Sequence, residues 1–254
     1  PNRRRWLAGA GVSLGSLWLA GCDRLTNNPT VAKTLASAEH LTRRAQRLVT
    51  DRKALAREYA EADLSPHFKA NGSMRPADPV YLAHLADNFA DWRLEVGGLV
   101  ERPLSLSLGE LRAQPARTQI TRHDCVEGWS CIGKWKGARL GPLLDRAGLK
   151  PAARYIVFYC ADDLGAGEPG GGKYYESIDL IDAYHPQTIL AYEMNDATLP
   201  VAHGAPVRLR VERQLGYKHA KYVMRIEAVD SFAGIGRGKG GFWPDRGYEW
   251  YAGI

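Results

Sequence analysis

The sequence predicts an α+β fold dominated by strands, with short helices and a helical extension on its N-terminal side. Three observations carry this. Short alternating or β-branched and aromatic segments recur at 92–100, 118–122, 155–159, 174–178, 188–192 and 222–229, each bounded by glycine, proline, Asn or Asp. The helical patterns among them are brief: Leu108 to Arg112, ended by Pro115, and Leu140 to Ala147, closed by Gly148. Only ahead of the strands, from about Val31 to Ala62, does a long helical pattern occur. Helices and strands separated along the chain in this way suit α+β rather than alternating α/β architecture.

The first 22 residues read as a targeting segment. Arg3, Arg4 and Arg5 precede Trp6 and Leu7, an apolar run extends to Gly21, and Leu19-Ala20-Gly21-Cys22 closes it. Paired arginines before an aromatic and a leucine fit a twin-arginine export signal, and the last four residues fit a lipoprotein cleavage box. Trp6 to Gly21 is 16 residues, short of the roughly 20 that a membrane span needs. Asp23 resembles the signal that keeps many Gram-negative lipoproteins on the inner membrane. The expected location is the periplasmic side of that membrane, with Cys22 as the lipid anchor.

The chain carries a net charge of +6 over 254 residues. Residues 1–21 hold three arginines and no acid, leaving the remainder near +3, which gives no reason to expect nucleic acid. The positive charge is concentrated late: Ala205 to Arg246 holds nine Lys and Arg against four acids. This is either a solvated basic face or a field for an anionic ligand. The cysteines are Cys22, Cys125, Cys131 and Cys160. With Cys22 lipidated, an odd number remains, so one thiol is free or committed to other chemistry. No Cys-x-x-Cys pair exists, which removes the main support for zinc-ribbon, thioredoxin-like and c-type heme readings.

In the 31–62 pattern, Leu41, Ala45, Leu48, Leu55 and Tyr59 recur at helical spacing while Arg43, Arg44, Arg47 and Lys53 fill other faces. Pro66 stops it, and Ser65 to Asp91 reads as irregular, punctuated by Pro66, Asn71-Gly72, Pro76 and Pro79. The glycine-rich stretch from Asp162 to Lys173 lacks the spacing of a phosphate loop and reads as a surface loop. The tail from Ser231 to Ile254 holds Trp243, Tyr248, Trp250 and Tyr251. Large aromatics left in water forgo burial worth about 1.5 to 3 kcal/mol each, so the tail is expected to wrap the core or meet a partner.

The candidate site centres on Thr121 to Lys136, Thr-Arg-His-Asp-Cys-Val-Glu-Gly-Trp-Ser-Cys-Ile-Gly-Lys-Trp-Lys. Cys125 falls where a predicted strand runs out. Arg122 and His123 favour a thiolate there, while Asp124 and Glu127 oppose it. Cys-Val-Glu-Gly-Trp-Ser, Trp135-Lys136-Gly137 and Leu140-Gly141-Pro142-Leu143-Leu144 resemble the molybdenum-ligand segment of the sulfite-oxidase-like molybdopterin oxidoreductases, in the branch containing the periplasmic methionine-sulfoxide reductase catalytic subunit. A second block, Leu199 to Arg210 with Gly216 to Lys221, resembles that family's pterin-phosphate element. Together these cover about Trp92 to Val229.

The resemblance implies a sulfite-oxidase-type domain at 92–230, preceded by the signal at 1–21 and an extension at 22–91, and followed by a Gly- and aromatic-rich tail at 231–254. It implies a molybdenum-molybdopterin cofactor, with Cys125 as the catalytic metal ligand. Carried over position by position, Asn71, Cys160, His203, Arg208, His219, Ala220 and Lys221 are the other cofactor-binding candidates. Cys160 stands where the family has a polar residue, often threonine. Asn71 and His203 also read as ordinary turn residues, and Cys131 as a packed side chain. Glu127 and Trp129 are pocket-lining or structural.

The implied reaction is two-electron oxygen-atom transfer on a small oxyanion or an S- or N-oxide, with electrons passing singly to or from a separate redox partner such as a membrane or soluble cytochrome. Two other readings compete: a thiol enzyme or cysteine hydrolase using Cys125 with His123 or His203, and a non-catalytic envelope lipoprotein binding an anion through Arg208 to Lys221.

Overall fold

The computed structural model describes residues 30–31, 41–42, 44–48, 51–165 and 172–254. The chain divides into two units, Pro1–Thr50 and Asp51–Ile254. In the first, residues 44–48 are helical and Leu48 is 85% exposed. The signal segment and Cys22 lie outside the described residues. No described helix is long and apolar enough to cross a membrane.

The second unit is α+β and strand-dominated. In chain order it contains α1 (Pro79–Ala86), β1 (Arg93–Gly98), β2 (Leu104–Ser107), α2 (Leu108–Arg112), β3 (Ala116–Asp124), β4 (Ser130–Arg139), α3 (Leu140–Ala147), β5 (Tyr155–Asp163), β6 (Lys173–Asp179), α4 (Leu180–Ala183), β7 (Ile189–Met194), β8 (Ala197–Thr198), β9 (Arg208–Arg210) and β10 (Val223–Val229). One sheet has the order β2-β1-β10-β5-β6. The other runs β3-β4-β7-β8, with β9 pairing β7. Only β1 and β10 pair in parallel, as expected for neighbours separated by most of the domain.

The main core fills the space between the first sheet and α3. Leu94, Val96, Ile156, Phe158 and Ile226 meet Leu140, Leu143, Leu144 and Ala147, all fully or nearly fully buried. The period-2 burial of β1 and the 3.6-period apolar stripe of α3 produce this contact. Gly148, at φ 70°, closes α3 as expected. Gly137 is needed where β4 bulges against β7: a Cβ there would lie 2.3 Å from the Leu190 carbonyl oxygen.

Two expectations are corrected. The predicted helix does not continue to Ala62. Residues 54–60 run extended along β3: the Tyr59 amide donates to Ile120 O at 2.9 Å, and the Gln187 side-chain amide brackets Ala56, accepting from its N–H and donating to its carbonyl. Bonding to an otherwise open strand edge outweighs the helical spacing of Leu55 and Tyr59. The region predicted as irregular contains α1. Asp78 caps it by accepting from the Tyr81 N–H at 2.9 Å, with Pro79 in its first turn. The C-terminal tail is packed as expected: Phe232 lies tilted and Trp250 edge-on against Tyr155, and Phe242 is buried.

Candidate active site

Alternation along β3 turns Gln119, Thr121 and His123 inward, and the strand ends one residue before Cys125. A tight reversal follows: the Cys125 N–H donates to Trp129 O at 2.9 Å, and the Gly128 N–H to Cys125 O at 3.0 Å. Gly128 sits at φ 85°, a conformation that suits glycine. Cys125 is therefore presented at a hairpin tip, half-buried, in a cleft of about 950 Å³ including its open mouth. The Asn71 side-chain amide lies 3.6 Å from Cys125 Sγ and donates to Glu127 Oε1 at 3.2 Å. Glu127 also accepts from Trp129 Nε1 at 2.9 Å and faces Lys69 at 3.6 Å. The Trp129 and Asn71 donors hold its carboxyl below the usual range.

The second sequence block lines the same cleft and packs against the end of β3, with the His219 and His123 rings 4.9 Å apart. Arg208, on β9, is buried over Trp135 and donates to His203 O at 3.1 Å, while its Nε finds no partner among the described residues. Arg210 is fully buried, forked onto Glu212 at 2.8 and 2.6 Å, and its third nitrogen lies 3.0 Å from His123 Nδ1. Arginine can only donate, so Nδ1 accepts and the His123 proton sits on Nε2. His219 Nε2 lies 3.0 Å from Gln214 O, which fixes its proton there and leaves Nδ1 as a buried acceptor without a partner among the described residues.

The electrostatics are those of cations crowded away from water. Burial first, then Arg210 and other neighbouring cations, push His123 and His219 well below the ordinary histidine value. Burial and Arg208 lower His203 to about 4. Burial and Arg210 bring Arg208 to about 9, and burial and Arg208 bring Lys221 to about 7. Asp162, at the end of β5, is raised to about 7 by burial, and its Oδ1 has no partner among the described residues. Unpartnered buried polar atoms cost about 1 to 3 kcal/mol each. Arg208 Nε, His219 Nδ1 and Asp162 Oδ1 all belong to residues lining this cleft, so the cleft suits a polar ligand with anionic character.

Of the residues singled out in the sequence, Asn71, Cys125, His203, Arg208, His219 and Lys221 line the cleft together. Ala220 does not: it is buried in the core and both its backbone groups bond internally. Cys160 does not either. Its thiol is driven well above the usual value by burial, and it lines a neighbouring hollow, whereas Asp162, two residues on, is the β5 residue that lines this cleft. Sequence reading missed Phe68, Asp162, Tyr174 and Tyr217 in the lining, and with them Trp243 and Tyr248 of the tail. Tyr217 falls within the second block as an unremarked aromatic; the others lie outside the recognisable motifs, and only burial and pairing bring them in. No hydrogen bond joins Cys125 to His123 or His203 among the described residues, so the geometry lacks the nucleophile–base contact of a thiol hydrolase.

A family model described as the oxidoreductase molybdopterin binding domain matches residues 82–233, more than half of the chain. The chain belongs to this family, the sulfite-oxidase-like molybdopterin oxidoreductases. It is therefore an oxidoreductase with a molybdenum-molybdopterin cofactor, and the thiol-hydrolase and non-catalytic readings fall away. A protein of Azospira oryzae, provisionally named protein-methionine-sulfoxide reductase subunit YedZ1, is 36% identical over all of this chain and 88% of its own length. The protein-methionine-sulfoxide reductase catalytic subunits MsrP of Ralstonia nicotianae and Xanthomonas axonopodis pv. citri are each 36% identical over 55% of this chain. The chain spans 44% and 45% of their lengths. The sulfane dehydrogenase SoxCD of Paracoccus pantotrophus superposes with a TM-score of 0.48 at 24% identity, over 56% of this chain and 39% of that one.

The cleft's donor set fits such a cofactor. A phosphate would find the Arg208 Nε–H within a cationic field, and the His219 Nδ1 acceptor and Asp162 would suit a pterin's hydrogen-bonding edge. The half-buried Cys125 thiol lines the same cleft.

Proposed function

We propose that this chain is the catalytic subunit of an exported reductase that removes oxygen from an S-oxide, with Cys125 as its only protein-derived molybdenum ligand. The observation that carries the reading is one cleft uniting the Cys125 thiol with three buried polar atoms that have no partner among the described residues. When bound, the cofactor supplies two-electron oxygen-atom transfer. Arg208 and His219 would hold and orient it, Lys221 would add to the field, and His203, lowered to about 4, would line the site as a neutral imidazole.

The S-oxide assignment rests on the relatives' names. Overall, a sulfoxide, two electrons and two protons give a sulfide and water. Reduction of dimethyl sulfoxide, methyl phenyl sulfoxide and N-acetylmethionine sulfoxide by purified holo-protein with a viologen donor tests the reading. Sulfite oxidation without sulfoxide reduction overturns it.

An aromatic wall faces the mouth. Tyr248 packs on Trp243 and Tyr217, with ring centroids 5.1 and 5.3 Å apart, and all three line the cleft. Sulfur against an aromatic ring contributes about 0.3 to 1.5 kcal/mol. Tyr248→Ala should therefore raise KM for methyl phenyl sulfoxide by up to about tenfold, leaving kcat and pterin content unchanged.

Electrons arrive from a separate redox protein, a membrane or soluble cytochrome, while Cys22 tethers the enzyme to the membrane that holds the electron supply. Two acyl chains anchor a protein stably where one does not. Wild-type protein should sediment with membranes. Cys22→Ala should release it, and Arg3→Lys/Arg4→Lys should leave it in the cytoplasm. Protein indifferent to both changes defeats the assignment.

A further inference from the structure

We propose that Lys221 is a latch: its ammonium buckles the 71–73 loop across the cleft and so positions Asn71 on the Cys125 sulfur, instead of contacting the cofactor phosphate itself. Lys221 Nζ donates to Asn71 O at 2.8 Å, to Ser73 O, and to Ala202 O at 2.9 Å. A lysine ammonium has three hydrogens. All three are occupied by carbonyl oxygens, two on the loop and one on the 200–204 turn, so none is left for a phosphate unless the latch opens.

The neighbouring residue reinforces the closure. Tyr222 donates its hydroxyl to the same Ser73 carbonyl at 2.8 Å, and its ring is fully buried edge-on to Tyr81, 5.4 Å away. Lys221 and Tyr222 thus fix one end of the loop from a position some 150 residues along the chain. The loop has little else of this kind. Among the described residues, 66–77 make no backbone-to-backbone hydrogen bond, and Phe68, packed against Trp135 and His203, is its apolar anchor.

What the latch delivers is the Asn71 side chain. Its backbone carbonyl is held by Lys221, while its amide stands 3.6 Å from Cys125 Sγ and 3.2 Å from Glu127. A donor on a thiolate sulfur draws charge from it and fixes its direction, as outer partners of metal ligands do. Lys221 is accordingly a positioning residue that acts through Asn71. Gly204 fits the same picture: a Cβ there would lie 2.9 Å from the Lys221 side chain, so the turn beneath the latch must be bare for the lysine stem to cross it.

The consequence for the cofactor rests on the reading of this cleft as its site, but the loop contacts do not, so the decisive measurement uses cofactor-free protein. Full-length chain made without molybdopterin synthesis is compared as wild type, Lys221→Met and Tyr222→Phe by limited trypsin digestion, read at the bond after Lys69 inside the loop. The latch predicts that cleavage there speeds up about tenfold or more in Lys221→Met and by a smaller factor in Tyr222→Phe, with cleavage within β10 unchanged. In loaded protein, Lys221→Met should release pterin at least several-fold faster and alter the Mo(V) resonance spectrum. Wild-type cleavage after Lys69 in cofactor-free Lys221→Met, with pterin release still accelerated, would overturn the latch and make Lys221 a direct phosphate ligand. If Lys221→Met does not fold, Tyr222→Phe decides, and unchanged cleavage after Lys69 in that variant refutes the proposal.

Discussion

Cys125→Ser should leave less than about 1% of the activity, whereas Cys131→Ser should retain it within about twofold. Substituting a residue that merely supports a metal ligand costs about 10- to 100-fold, so losing the ligand itself must exceed the upper figure. Serine keeps the size and the hairpin, whose bonds run through the backbone of Cys125, Gly128 and Trp129, but it cannot supply the thiolate that a soft metal site takes. Cys131 is the matched control. It lies six residues away, one turn of the same hairpin, yet it is buried among Phe68 and Trp135 with its sulfur toward the His67 carbonyl. Its replacement disturbs packing, for a cost of about 1 kcal/mol in stability. Molybdenum and pterin content, measured beside turnover, separate a lost ligand from a lost fold. Full activity in Cys125→Ser would sink the assignment.

The contrast between these cysteines was legible in the sequence because the Cys125 motif occupies one strand end, and a strand end is a local feature. The same holds for the short helix closed by Gly148, the strand at 155–159 and the alternation of β3. What the sequence hid was non-local. Residues 54–60 have helical spacing, but a strand edge 60 residues away offers them hydrogen bonds that periodicity cannot register. Lys221 resembled a phosphate ligand, and nothing near it in the chain reveals that its ammonium is bonded to carbonyls on residues 71, 73 and 202. Cys160 holds the strand position that the family fills with a polar residue, yet Asp162, two residues further along β5, where its pairing with β6 breaks register, is the one that lines the cleft. The tail announced itself by its aromatics. Its destination, one wall of the cleft, depended on Tyr217 and Tyr174 meeting Tyr248 and Phe242.

Arg208→Ala should lower the pterin bound to purified protein to about a tenth or less of wild type, because a charge-assisted hydrogen bond contributes about 1.5 to 3 kcal/mol and tenfold in affinity is about 1.4 kcal/mol. Arg208→Lys should recover little of this, since the guanidinium also bridges to the His203 carbonyl and lies over Trp135. The cause predicts a pH signature as well. In the cofactor-free chain, burial and neighbouring cations hold Lys221 near 7 and Arg208 near 9, against ordinary values of 10.5 and 12.5. From about pH 7 upward the folded chain therefore binds fewer protons than the unfolded one, so cofactor-free stability should rise with pH through that range. A bound dianion reverses the sign. It raises both values, so binding takes up protons and weakens as pH climbs above about 7. The difference in Tm between loaded and cofactor-free protein should accordingly shrink from pH 7 to pH 9. Asp162, raised to about 7 by burial, exerts its own effect below that window, where stability falls as the carboxyl is forced to ionise. A Tm difference that stays constant from pH 7 to 9, together with full pterin content in Arg208→Ala, would show that Arg208 does not hold the cofactor and that Lys221 adds nothing to its field.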